Sequence, residues 1–238
     1  MSSHAIRPAR RANGRKFYVT IALAAALIVA IGFGPTFYLK PLFGAPPLTA
    51  LATLHGFLFT AWIFLLIVQT TLVAKGRTDI HRKLGIAGAV LAAAMVVIGL
   101  KTAIAFAARG MSPPGAPPAL SFFAIPFFSI TLFAIFVTLA IALRRDTATH
   151  KRLMVLATAA ILGAAIARLP FAAAGIPPVF FAITDLFLIA GIIHDWRTMG
   201  RVHTAYIWGG FLLVASQPFQ LVILGTEPWI NFARWLTS

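Results

Sequence analysis

No cysteine occurs in the 238 residues, and only five residues are acidic. The first absence excludes disulfides, thiolate metal sites, iron–sulfur clusters and cysteine nucleophiles. Charge of either sign is scarce. Asp, Glu, Lys and Arg make up 11% of the chain against 60% hydrophobic residues, and the mean hydropathy is +0.92. A soluble domain of this length cannot hide so much apolar surface, so the bilayer must be part of the solvent. Several chemical signatures are also missing: the chain has no Gly-rich phosphate loop, no His-Glu-x-x-His and no Gly-x-Ser-x-Gly.

What the chain does have is seven long apolar runs, at 17–39, 48–74, 84–108, 119–143, 153–174, 179–193 and 204–224. A run of about 20 apolar residues crosses the hydrocarbon as a helix. These predict an all-α, seven-helix transmembrane bundle, with the short sixth run, which carries Asp185, the weakest of the set. The proline pairs 46–47, 113–114, 117–118 and 177–178 fall between runs, where a missing N–H and a restricted preceding residue stop helices. The first run is too long for a signal-peptide core and is expected to be a retained span.

The net charge of +15 is distributed as loop punctuation rather than as a groove or patch for nucleic acid. Of the 20 Lys and Arg residues, 15 fall in the N-terminal tail and in alternate connections; three fall in the others. The positive-inside rule then predicts a cytoplasmic N-terminus and a periplasmic C-terminus. The expected organisation is a basic cytoplasmic tail at 1–16, a seven-helix transmembrane domain at 17–224 and an interfacial segment at 225–238. Trp229, Arg234 and Trp235 suit the last to a short helix in the interface. The expected location is the bacterial inner membrane as a multi-pass protein, with anionic lipid headgroups as partners of the basic face. A larger membrane-protein complex is a further expected partner.

Three of the basic connections deliver a histidine to the mouth of the next helix: His81, His150 and His203. His194 closes the sixth run on the same side. Thr78-Asp79-Ile80-His81-Arg82-Lys83-Leu84 and Thr147-Ala148-Thr149-His150-Lys151-Arg152-Leu153 share a pattern of Thr, two variable residues, His, two basic residues and Leu, a short internal repeat. Four His with Asp79, Asp146 and Asp195 nearby form a donor set suited to a transition metal, and imidazoles on facing helices suit axial ligation of haem b iron. Anchoring of helix ends at the interface is the alternative. Cations in a first helical turn oppose the helix dipole, at about 0.3–1 kcal/mol each, while free N–H groups beside them invite an anion such as a lipid phosphate or a haem propionate.

A second polar set lies towards the other side: His55, Lys101, Arg168, Asp185 and Gln217, with Gln220 beside it. Ionisable groups at such depth are costly and usually pair. Arg168 and Asp185 lie about seven residues on either side of one short connection, which predicts contact between them. A substrate or proton site is the alternative. His55, Trp62 and Gln69 recur every seven residues and share a helix face.

The stretch from Leu54-His55-Gly56 through Trp62 and Gln69 to His81-Arg82-Lys83-Leu84-Gly85 resembles uncharacterised bacterial multi-pass inner-membrane proteins, as does His150-Lys151-Arg152-Leu153-Met154. The His-basic-basic-Leu-Met start is also similar to small four-helix membrane proteins linked to terminal-oxidase assembly. That resemblance implies haem or metal handling at His55, His81 and His150. The expectations that follow are a haem- or metal-binding protein in respiratory electron transfer or oxidase assembly, a small-solute transporter or channel using the second polar set, or a structural subunit of a membrane complex.

Overall fold

A computed structural model describes residues 3–171 and 173–238; the side chains of residues 3–13 and 15 lie outside the described set. Most of the basic tail, including Arg7, Arg10, Arg11 and Arg15, therefore falls outside it. The regular elements among the described residues are all helices, with no strand. Seven segments are long and apolar enough to cross a membrane, so this is an integral, multi-pass membrane protein. Helix α1 (Ser3–Phe33) runs into a π-helical turn (Gly34–Tyr38) at Pro35. It is followed by α2 (Ala50–Ala74), α3 (Thr78–Ala108), a one-turn α4 (Ala119–Phe122) continued by α5 (Ala124–Ala142), α6 (Thr147–Ile166), α7 (Pro177–Met199), α8 (Thr204–Ile223) and a short terminal α9 (Glu227–Thr237).

The caps explain the boundaries. Thr49 accepts the Ala52 N–H at the start of α2. Asp146 accepts the N–H groups of Ala148 and Thr149 at the start of α6, and His203 Nδ1 accepts the Ala205 N–H at the start of α8. Each satisfies donors that a first turn leaves free. Pro177 opens α7, where its missing N–H costs nothing. Gly200 ends α7 at a φ of +72°, a left-handed C-terminal position that favours glycine.

Hydropathy located all seven spans but misplaced some ends. The sixth helix is not short; it occupies Pro177–Met199 because the structure neutralises or hydrogen-bonds the acids inside it. The fifth starts earlier, at Thr147, and ends at Ile166 rather than at 174. Arg168 thus lies beyond the helix and shares no α6 face with His150.

Helix α6 is the hub. Around it run α1, α2, α3, α5, α8 and α7, each packed on the next, with α7 closing back on α1; α6 packs against α1, α5, α7 and α8. Its small residues Ala157, Ala159 and Ala165 are almost wholly buried, and small side chains let helix backbones approach where lipid offers no hydrophobic driving force. The closest approach is at Gly32 of α1, where a Cβ would collide with the Ala165 carbonyl. Helix α2 reaches the hub through Trp62, whose indole N–H donates to Thr158 Oγ1 at 3.3 Å. The seven-residue stripe on α2 therefore faces inward, with Trp62 2% exposed and packed edge-on against Phe133. Helix α9 packs against α3 and α4 and buries Trp229, whose N–H donates to the Leu120 carbonyl at 2.9 Å.

Candidate functional site

The Lys- and Arg-rich end of the bundle carries two polar assemblies, and the expected four-histidine ring is divided between them and the helix ends. His81 lies in the first turn of α3 and His150 in the first turn of α6. Their ring centroids are 6.3 Å apart, nearly perpendicular at 78°. His150 Nδ1 lies 2.8 Å from the Ala140 carbonyl, so that nitrogen donates, and in the neutral tautomer this selects the lone pair is on Nε2. His81 Nδ1 is buried without a hydrogen-bond partner. The Gln69 amide N–H donates to the His81 carbonyl at 3.3 Å, and Gln69 Oε1 is buried and unpartnered. Helices α3 and α6 form no packed interface of their own, so the two rings meet across the space between their starts.

His194 and His203 stand elsewhere. His194 stacks flat on Phe17, with centroids 4.0 Å apart. His203 is the N-cap of α8. Burial holds its imidazole below the usual histidine range, with the nearby Arg152 charge acting in the same direction; a neutral ring is what the cap needs to accept an N–H. Asp146 is held below the usual carboxylate range chiefly by the Thr149 hydroxyl, which donates to it. Among the described residues, no three of His, Asp and Glu converge as a metal-binding group.

The second assembly was not foreseen as a unit. Arg152, two residues after His150, points about 200° away from it around the helix. It is 2% exposed and Asp195 is fully buried. Arg152 Nε donates to Asp195 Oδ2 at 2.8 Å and Nη2 to Oδ1 at 2.5 Å, while Nη1 donates to the Ala148 carbonyl at 2.7 Å. Asp195 Oδ2 also accepts the His203 backbone N–H at 3.1 Å. One carboxylate thus ties α6, α7 and the start of α8 together in a bidentate pair. The Tyr206 ring lies under the guanidinium at 5.8 Å and the Tyr18 ring under Lys151 at 5.0 Å. The hydroxyls of Tyr18 and Tyr206 are buried without partners. Both charges were visible in the sequence, Arg152 within a His-basic-basic helix start and Asp195 beside His194; the helical offset from His150 was the signal that Arg152 faces inward.

At the proline-rich end the second polar set separates. Arg168 and Asp185 do not pair: the salt bridges among the described residues are Arg77–Asp79 and Arg152–Asp195. Arg168 instead donates to the Ala164 carbonyl at 2.7 Å and lies 5.0 Å over the Phe33 ring. Leaving the helix at Ile166 carried it off the face opposite Asp185. Asp185 accepts the Gln217 amide N–H at 2.7 Å. His55 stacks on Phe59 at 4.0 Å with Nδ1 buried and unpartnered. Lys101 is exposed on α3. Of the five residues expected to form one site, only Asp185 and Gln217 share a hydrogen bond. No protein-family model, curated protein or solved structure matches this chain.

Proposed function

We propose that this chain is a haem-binding protein of the bacterial inner membrane, with His81 and His150 as the axial pair, acting in respiratory electron transfer or oxidase assembly. The observation that carries this reading is the 6.3 Å separation of the two ring centroids. With imidazole nitrogen about 2.0–2.1 Å from a metal and the ring centre about 1.2 Å behind that nitrogen, two imidazoles on opposite sides of one ion have centroids about 6.4 Å apart. The donor set favours haem over a bare ion in this reading: a tetrahedral or octahedral metal wants three or more protein donors, and no three are gathered among the described residues, whereas a porphyrin brings four nitrogens and asks the protein for two.

The surrounding residues fit the group. The Ala140 carbonyl fixes the His150 tautomer, the outer-shell contact that metal-ligating histidines use. His81 offers a buried nitrogen with no other partner. Gln69 ties the first turn of α3 to α2 and so holds that ring in place. Arg82 and Lys83 follow His81 in the first turns of α3 and supply positive charge for propionates. Haem bound between two histidines supplies one-electron chemistry. In this reading the basic end faces the cytoplasm and its anionic headgroups.

Titration of the purified, detergent-solubilised protein with haem tests the reading. A Soret band saturating at one haem per chain is expected, weakened and shifted in His81→Ala and in His150→Ala, lost in the double variant and kept in His194→Ala. A wild-type protein that gives no Soret band, or a band that survives both substitutions, rejects it.

A further inference from the structure

We infer that this chain associates with further copies of itself in the membrane, the outward face of α3 on one copy meeting the outward face of α7 on the next, with Lys101 of the first paired to Asp185 of the second. Each charge lacks a counterion of its own. Lys101 is exposed on α3. Asp185 is half-buried on α7 and accepts a hydrogen bond from Gln217. Neither belongs to a salt bridge among the described residues. Ionisable groups inside the bilayer are costly and pair.

Packing contacts set the depth of both. Trp62 bonds to Thr158 and packs on Phe133, which marks one layer of the bundle. Gly99 sits against Phe59 and Ile130, each one turn nearer the proline-rich end than Trp62 and Phe133. At about 1.5 Å per residue, Lys101 lies about 7 Å from the layer on that side. Across the bundle, Gly209 sits against Leu156 and Gly210 against Leu188. The same count puts Asp185 about 3 Å from the layer, on the same side. Thr158 is near the middle of α6, so both charges fall within a hydrocarbon core about 30 Å thick. Side chains lean towards the N-terminus of their own helix. Helices α3 and α7 run in opposite senses, so Lys101 leans towards the layer and Asp185 away from it, and the long lysine stem covers the remaining difference.

The surfaces beside the charges match in spacing. Towards the basic end, α3 exposes Val97, Ala93 and Val90, and α7 exposes Ile189, Ile193 and Trp196. Steps of four and then three residues keep each set on one helix face. Such residues alone would suit lipid; the two unanswered charges commit the faces to each other. Helices α3 and α7 stand three places apart in the ring of six around α6, on opposite sides of the molecule. A two-fold contact at either face would set like charges together. A contact of unlike faces is heterologous and repeats from copy to copy, giving rows or rings. It requires all copies in one orientation, which membrane insertion supplies. The surface shares no residue with the His81–His150 pair and stands or falls independently of it.

Disulfide trapping in isolated membranes tests the contact, because the native chain has no cysteine. The same depth count places Val90 and Ile193 at one level. Full-length Val90→Cys and Ile193→Cys chains, coexpressed and oxidised with copper phenanthroline, should give a cross-linked dimer. Either chain alone should give none. Val90→Cys coexpressed with Phe64→Cys, a position on α2 that is also exposed, should give none. The dimer should be lost when the first chain also carries Lys101→Gln, or the second Asp185→Asn, which keeps an acceptor for Gln217. No dimer from the original pair, an equal yield with Phe64→Cys, dimers from one variant alone, or a yield unchanged by both neutralising substitutions overturns the inference.

Discussion

Replacing Asp195 with alanine should be among the most damaging single changes in the molecule. The substitution removes the acceptor of two guanidinium bonds and of the His203 backbone N–H. It leaves Arg152, 2% exposed, with its charge buried and unanswered. Breaking one side of a buried pair costs about 3–5 kcal/mol. Replacing both partners by apolar residues of similar volume is often neutral or favourable, because the desolvation of two ions is no longer required. The double variant Arg152→Met/Asp195→Leu should therefore recover most of the loss. A residue of it should persist, since the His203 N–H still lacks its acceptor. Reversible unfolding in mixed micelles by SDS titration, followed by far-ultraviolet circular dichroism, measures each variant. An Asp195→Ala cost below about 1 kcal/mol, or a double variant whose loss is the sum of the single losses, would refute the argument that burial of an uncompensated charge dominates here.

Two further perturbations follow from the same packing. At Gly32, an added Cβ meets the Ala165 carbonyl, a backbone atom that cannot rotate away; Gly32→Ala should part α1 from α6 at an overpacking cost of about 1–3 kcal/mol, read in the same SDS titration, and a neutral substitution would show that the contact is looser than described. At His203, the folded state holds the ring below its ordinary value of about 6.5. The neutral ring's contribution is present above about pH 6.5 and is lost as pH falls through the lowered folded value. His203→Asn keeps a capping acceptor that does not titrate, so the wild-type advantage over this variant should shrink from pH 7.5 to pH 5; a constant difference would contradict the assignment.

The sequence made the seven spans legible because bilayer crossing is a composition effect summed over about 20 residues. The alternation of Lys and Arg supported the sixth span even though its polar residues interrupted the hydropathy. Helix ends were harder to read. Asp146 and His203 set two of them by capping, and a cap is a single-residue geometry that an averaged pattern does not resolve. The His81–His150 approach was half visible, as two like-starting helices; that His194 and His203 would be used by Phe17 and by the start of α8 was not. Arg168 and Asp185 matched in depth, but pairing also needs matching faces, and the end of α6 at Ile166 removed Arg168 from that face. The Arg152–Asp195 lock joins residues 43 apart in sequence, and its bidentate geometry depends on the α6–α7 packing that no local pattern carries.

The most direct test of the haem reading is the spin state of iron in the haem-loaded protein, measured by low-temperature electron paramagnetic resonance. Two axial imidazoles predict a low-spin ferric signal in the wild type and a conversion to high spin when His81 or His150 alone is replaced by alanine, with His194→Ala unchanged. A high-spin signal in the wild type, or a low-spin signal that survives loss of either histidine, would contradict axial ligation by this pair.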